Sequence, residues 1–115
     1  MGVLICEDAW IPAPAQACLA AGADALIVLN ASPYHAGKAP ERIAAMQALQ
    51  QHCPLPLVYA HMAGGQDELL FDGCSFVLAA DGQVRHRGAA FARDLIFIDL
   101  LAFFGDKAAW AAPVL

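Results

Sequence analysis

Three polar segments in this sequence follow apolar runs, and each carries side chains able to do chemistry. Cys6-Glu7-Asp8 follows Val3-Leu4-Ile5, Asn30-Ala31-Ser32-Pro33-Tyr34-His35-Ala36-Gly37-Lys38 follows Ala25 to Leu29, and His61 to Glu68 follows Leu57 to Ala60. In open α/β sheets functional groups collect at the carboxyl ends of the strands, so the three segments are expected to converge on one edge. A thiol at such a strand end sits on a turn into a helix, where the following backbone N–H groups face an incoming oxyanion. From position alone Cys6 reads either as a nucleophile of this kind or as a small core thiol. Glu7 and Asp8 disfavour a thiolate, so a nucleophilic Cys6 needs a cation or base from elsewhere in the fold. Ser32 and Lys38 offer a hydroxyl and a point charge, a suitable pair for a small carboxylate, although a lone Lys on a turn is also commonly just solvated. His35 reads as a surface loop histidine. The pair Gly64-Gly65 lacks the spacing of a phosphate-binding loop, and Gln66, Asp67 and Glu68 read as loop or solvated residues.

The elements that must position these groups alternate. Val3 to Ile5 reads as a short buried strand and Ala13 to Ala21 as a helix stopped by Gly22. Ala25 to Leu29 reads as a second strand. Pro40 to His52 reads as a helix with Ile43, Met46, Ala48, Leu49 and Cys53 on one face and Glu41, Arg42 and Gln50 on the polar side. Leu57 to Ala60 is a third strand, Cys74 to Ala79 and Gln83 to Arg87 form a hairpin around Asp81-Gly82, and Leu95 to Asp99 is a further strand. Strand–helix–strand order implies right-handed crossovers and an α/β fold with a partly parallel sheet. The segment 100–115 reads as an apolar tail, its Phe residues and Trp110 suggesting a partner surface.

Composition narrows the function classes. Among 115 residues, six basic against eleven acidic side chains leave a formal charge of −5. Neither nucleic acid nor an anionic membrane is an expected partner for such a chain. The 60% hydrophobic and 15% charged content excludes disorder. It also predicts burial of apolar surface against a partner or further sequence. The greasy stretches Cys18–Leu29 and Leu95–Phe104 are interrupted by Asp24 and Asp99 and are too short to span a bilayer. The start lacks a signal-peptide pattern. Cysteines 6, 18, 53 and 74 lack zinc-knuckle spacing, so no metal is expected and the thiols read as reduced, in a cytoplasmic protein.

Taken together, the stretches Gly2-Val3-Leu4-Ile5-Cys6-Glu7-Asp8-Ala9-Trp10, Asn30 to Lys38 and Gly64-Gly65-Gln66-Asp67-Glu68-Leu69-Leu70-Phe71-Asp72-Gly73 resemble the carbon–nitrogen hydrolase (nitrilase) superfamily. More narrowly, they resemble the glutamine-amidase domain of glutamine-dependent NAD synthetases. The resemblance runs from about Gly2 to Asp99. It implies an α-β-β-α sandwich, incomplete in this chain, so that residues 1–99 are the C-terminal part of an amidase domain. It implies a Glu–Lys–Cys triad in which Cys6 attacks the side-chain amide of glutamine and the Glu7 N–H helps hold the oxyanion. It also places Ser32 and Lys38 on the α-carboxylate end of the substrate. The Glu and Lys of that triad belong before the cysteine, so this chain alone is expected not to turn over. The amidase part needs no cofactor; ATP and magnesium belong to a synthetase domain expected beyond the carboxyl end, in a homo-oligomeric parent. His61, where the resemblance calls for Asn, and Cys74, where it calls for Gly, depart from the pattern. A free-standing ω-amidase and a non-catalytic remnant or interaction module are the alternatives.

Overall fold

The computed structural model describes residues 1–99. Its elements are β1 (Gly2–Ile5), a 3-10 turn (Cys6–Ala9), α1 (Pro12–Ala20), β2 (Leu26–Asn30), α2 (Lys38–Gln50), β3 (Leu57–His61), β4 (Ala63–Gln66), β5 (Leu69–Asp72), β6 (Phe76–Leu78) and β7 (Val84–Arg87). β1, β2 and β3 run parallel, with Ile5 beside Leu29 and Asn30 beside His61. β6 adds to β3 and β7 to β6, both antiparallel, for a sheet of order β1-β2-β3-β6-β7. β4 and β5 form a separate hairpin.

Local chemistry accounts for the boundaries. Pro12 opens α1, where its missing N–H costs nothing, and Gly22 leaves it at φ 90°. Gly37, at φ 83°, turns the chain into α2. Gly2 lets α1 sit close on β1, because a β-carbon there would stand 2.6 Å from the β-carbon of Cys18.

Two successive right-handed crossovers in one direction place both helices on one face. Ala15 of α1 and Ile43, Met46 and Leu49 of α2 pack there against Leu4, Leu26, Val28, Leu57, Tyr59, Phe76 and Leu78. The alternate residues face the other way. Val3, Ile5 and Leu29 are 56%, 60% and 45% exposed, so at β1 and β2 that face is open among the described residues. Parallel sheets are normally covered on both faces, and this open apolar surface is the kind that the composition predicts.

Several expectations need correction. Leu95 to Asp99 is irregular rather than a strand; the Asp94 carboxylate accepts the N–H groups of Ala89 and Leu95, at 2.8 Å each, so the segment's first N–H is held by a side chain. The segment after β3 is the β4–β5 hairpin rather than a loop, turning at Asp67-Glu68 with Asp67 at φ 54°. Ala48 is exposed, whereas Arg42 and Gln50 of the expected polar face are buried. Gln50 is buried because its amide donates to the carbonyls of Leu55 and Ala79, and Arg42 because it meets Asp72. The tail 100–115 lies outside the described residues.

Candidate active site

The parallel register builds the site. Cys6 follows the Ile5–Leu29 pair by one residue, and Asn30, next after Leu29, pairs with His61. Cys6, Asn30 and His61 therefore stand in one row across three strand ends, as the spacing predicts. Cys6 is half-buried and sits at φ 49°, in the left-handed region. A residue with a β-carbon is held there at a cost of about 1–2 kcal/mol. The turn is fixed from both sides: the Ile5 N–H donates to Asp8 Oδ2 at 3.0 Å, and the Trp10 N–H to the Glu7 carbonyl at 2.9 Å. Asp8 is thus used as a brace. The Glu7 amide lies in the first turn of the 3-10 segment, where N–H groups have no partner within the helix.

Ser32 and Lys38 share a cleft of about 350 Å³ with Trp10, Asn30, Arg42 and Tyr59. Cys6 does not line this cleft; it is near enough to Tyr59, which does, to influence its hydroxyl electrostatically. Burial raises the pKa of the Tyr59 hydroxyl, and nearby Cys6 and Asp72 add to the rise against the lowering influence of Arg42 and of the hydrogen bond from Asn30. Lys38 begins α2, 31% exposed, with Nζ 3.8 Å from Glu41 Oε2. A second cavity, about 440 Å³, lies on the other side of β3 and β6 between Val58, Val77, Ile96 and Ile98. It is lined by neither Cys6 nor Ser32.

A buried ionic network underlies the cleft. Arg42 Nη1 donates to both oxygens of Asp72, at 2.9 and 2.8 Å, and the two side chains are 4% and 1% exposed. Arg42 Nε donates to Ser32 Oγ at 3.2 Å and Nη2 to the Ser32 carbonyl at 3.3 Å. The Asn30 amide donates to Ser32 Oγ at 3.3 Å and to the Tyr59 hydroxyl. The Ser32 N–H lies 3.1 Å from His61 Nε2. Burial would raise the Asp72 carboxyl, but the hydrogen bonds and charge of Arg42 win, and its pKa lies below the usual carboxylate value. Burial and the Arg42 charge push the His61 imidazole below its ordinary pKa of 6.5, with Asp72 and the backbone at Gly73 and Ser32 pulling the other way.

The remaining side chains sort cleanly. Burial raises the thiol pKa of Cys53, and burial together with a hydrogen bond to Asp72 raises that of Cys74. Both changes disfavour thiolates. Cys74 sits at φ 52°, which accounts for a glycine being expected there. His35, Asp67 and Glu68 are exposed. Among the described residues no group of three or more His, Cys, Asp or Glu could hold a metal, and no helix is long and apolar enough to cross a membrane. Sequence reasoning passed over Arg42 and Tyr59 as site residues and met Asn30, His61 and Asp72 only inside motifs. The available signal was the i, i+4 spacing of Lys38 and Arg42, which puts both on one side of α2.

The family model described as Carbon-nitrogen hydrolase matches residues 1–101. The glutamine-dependent NAD(+) synthetase of Rhodobacter capsulatus is 48% identical over 100 residues, covering 87% of this chain and 18% of that protein. The synthetase of Thermotoga maritima is 42% identical over 104 residues, again covering 87% and 18%. This chain thus spans about 18% of the length of these curated relatives. Among solved structures, glutamine-dependent NAD+ synthetase from Acinetobacter baumannii in complex with ADP superposes with a TM-score of 0.74 at 38% identity, over 80% of this chain and 18% of that one. The amidase from Nesterenkonia sp. AN1, with acrylamide added at its active-site cysteine, gives 0.68 at 25% identity, over 93% and 41%.

Proposed function

The chain belongs to the carbon–nitrogen hydrolase family, and from that membership we propose that Cys6 is the nucleophile of a glutamine amidase whose ammonia serves NAD synthesis from deamido-NAD. The observation that carries this reading is a cysteine at φ 49° just past the end of a parallel strand, in register with Asn30, which lines the cleft that holds Ser32 and Lys38. Sγ attacks the amide carbon of the glutamine side chain, and the carbonyl oxygen becomes an oxyanion that accepts a hydrogen bond from the Glu7 N–H. The C–N bond then breaks with proton transfer to nitrogen, giving ammonia and a glutamyl thioester. Water attacks the thioester, glutamate leaves and the thiol is restored. Ser32 and Lys38 hold the α-carboxylate. The Glu that takes the thiol proton and the Lys that shares the oxyanion belong, in this reading, to sequence outside these residues.

Without those two groups no base takes up the thiol proton and the oxyanion loses a donor worth about 100- to 1000-fold in rate. The isolated chain is therefore assigned no turnover of its own. In this reading the amidase steps need no cofactor, and ATP with magnesium acts in a synthetase domain of a cytoplasmic, homo-oligomeric parent. Measured on that parent, Cys6→Ala abolishes glutamine-driven NAD formation and spares the ammonia-driven reaction. Loss of both, or ammonia release from glutamine by the isolated chain, overturns the assignment.

A further inference from the structure

We propose that Arg42 is the positioning residue of the carboxylate subsite: anchored on Asp72, it holds the Ser32 hydroxyl so that its proton is free for the substrate's α-carboxylate. The inference rests on the reading of Ser32 and Lys38 as that subsite.

A serine hydroxyl has two lone pairs and one proton. Arg42 Nε at 3.2 Å and the Asn30 amide at 3.3 Å both donate to Ser32 Oγ, which occupies both lone pairs. The remaining neighbour is His61 Nε2, at 3.3 Å from Oγ. If Nε2 accepts, its single lone pair is already met by the Ser32 N–H at 3.1 Å. If Nε2 carries the proton, it is itself a donor. In neither tautomer does His61 claim the hydroxyl proton, which is left for an acceptor in the cleft.

Arg42 is poorly placed to bind a carboxylate itself, although it lines the cleft. It is 4% exposed, Nη1 meets both Asp72 oxygens, and Nε and Nη2 are engaged on Ser32. The charge available to a ligand is Lys38, 31% exposed at the start of the same helix. Arg42 thus acts through Ser32, and Asp72 fixes the plane in which its Nε–H points.

The test uses labelling of Cys6 in this chain by two reagents with the same electrophile, a chloromethyl ketone analogue of L-glutamine and chloroacetone. The ratio of their rates at Cys6 reads recognition of the amino-acid end and cancels changes in thiol reactivity. Ser32→Ala is expected to lower the ratio about tenfold, the scale of one charge-assisted hydrogen bond. Arg42→Lys is expected to lower it as far, and Ser32→Ala/Arg42→Lys no further, because both changes remove one contact. An unchanged ratio in Arg42→Lys, or losses that multiply in the double variant, overturns the proposal. Circular dichroism checks the fold; if Arg42→Lys does not fold, Asp72→Asn stands in, with a smaller fall of about threefold expected and an unchanged ratio overturning the proposal. A wild-type ratio near one that Ser32→Ala leaves alone is a different result, and it removes the carboxylate-subsite reading itself.

Discussion

The two halves of the site are built on opposite plans. Around Ser32, five side chains from β2, α2, β3 and β5 interlock, with Arg42 and Asp72 buried and paired. Around Cys6, the backbone is held in the left-handed region just past β1, the edge strand of the sheet, and the brace is local, between Asp8 and Ile5. The Ser32 half is over-determined by contacts distant in sequence, whereas the Cys6 half relies on a tight turn with an open apolar sheet face beside it. One edge of the sheet thus carries a site half fixed by long-range contacts beside one fixed by a local turn.

The largest expected effect falls on the interlocked half. Arg42→Ala leaves the Asp72 carboxylate buried and unpaired, and by urea denaturation it is expected to cost about 3–5 kcal/mol of stability. A cost under 1 kcal/mol would mean that the network adds little and that the contrast between the halves is false.

Acid is expected to attack the same half next. His61 has a folded pKa below its ordinary 6.5, so the unfolded chain takes up a proton first and stability falls as pH drops below that value. Asp72 has a folded pKa below its ordinary 3.8, so its stabilisation, present above that value, is lost as pH falls further through the folded pKa. The two windows act in the same direction. Denaturation midpoints across pH 7 to 3 should decline in wild type, and the upper part of the decline should shrink in His61→Asn. An undiminished upper decline in that variant would assign it to other groups.

The smallest effect belongs to the Cys6 half. Cys6→Gly relieves the left-handed strain but adds chain entropy to the unfolded state, for a net change of about 1 kcal/mol or less in either direction. A loss well above that, read by the same denaturation, would show the Cys6 side chain to be a packing element and would blur the comparison.

Legibility followed the range of the interactions. The strand–helix alternation, the convergence of three strand ends and the candidates Cys6, Ser32 and Lys38 were readable because apolar runs, turn residues and right-handed crossovers act locally or by general rule. Leu95 to Asp99 misled because apolar composition cannot reveal that the Asp94 side chain captures the nearby N–H groups. The β4–β5 hairpin was missed because two glycines and a charged turn read as a loop until pairing from Ala63–Asp72 to Gln66–Leu69 supplies the ladder.

By itself, then, the sequence determined the parallel α/β order and which thiol stands at a strand end, since both follow from the periodicity and punctuation of neighbouring residues. Only the tertiary structure decided that Arg42 turns inward. A guanidinium on a helix is ordinarily solvated, and its burial becomes tolerable only when a carboxylate thirty positions along the chain arrives within 2.9 Å of it.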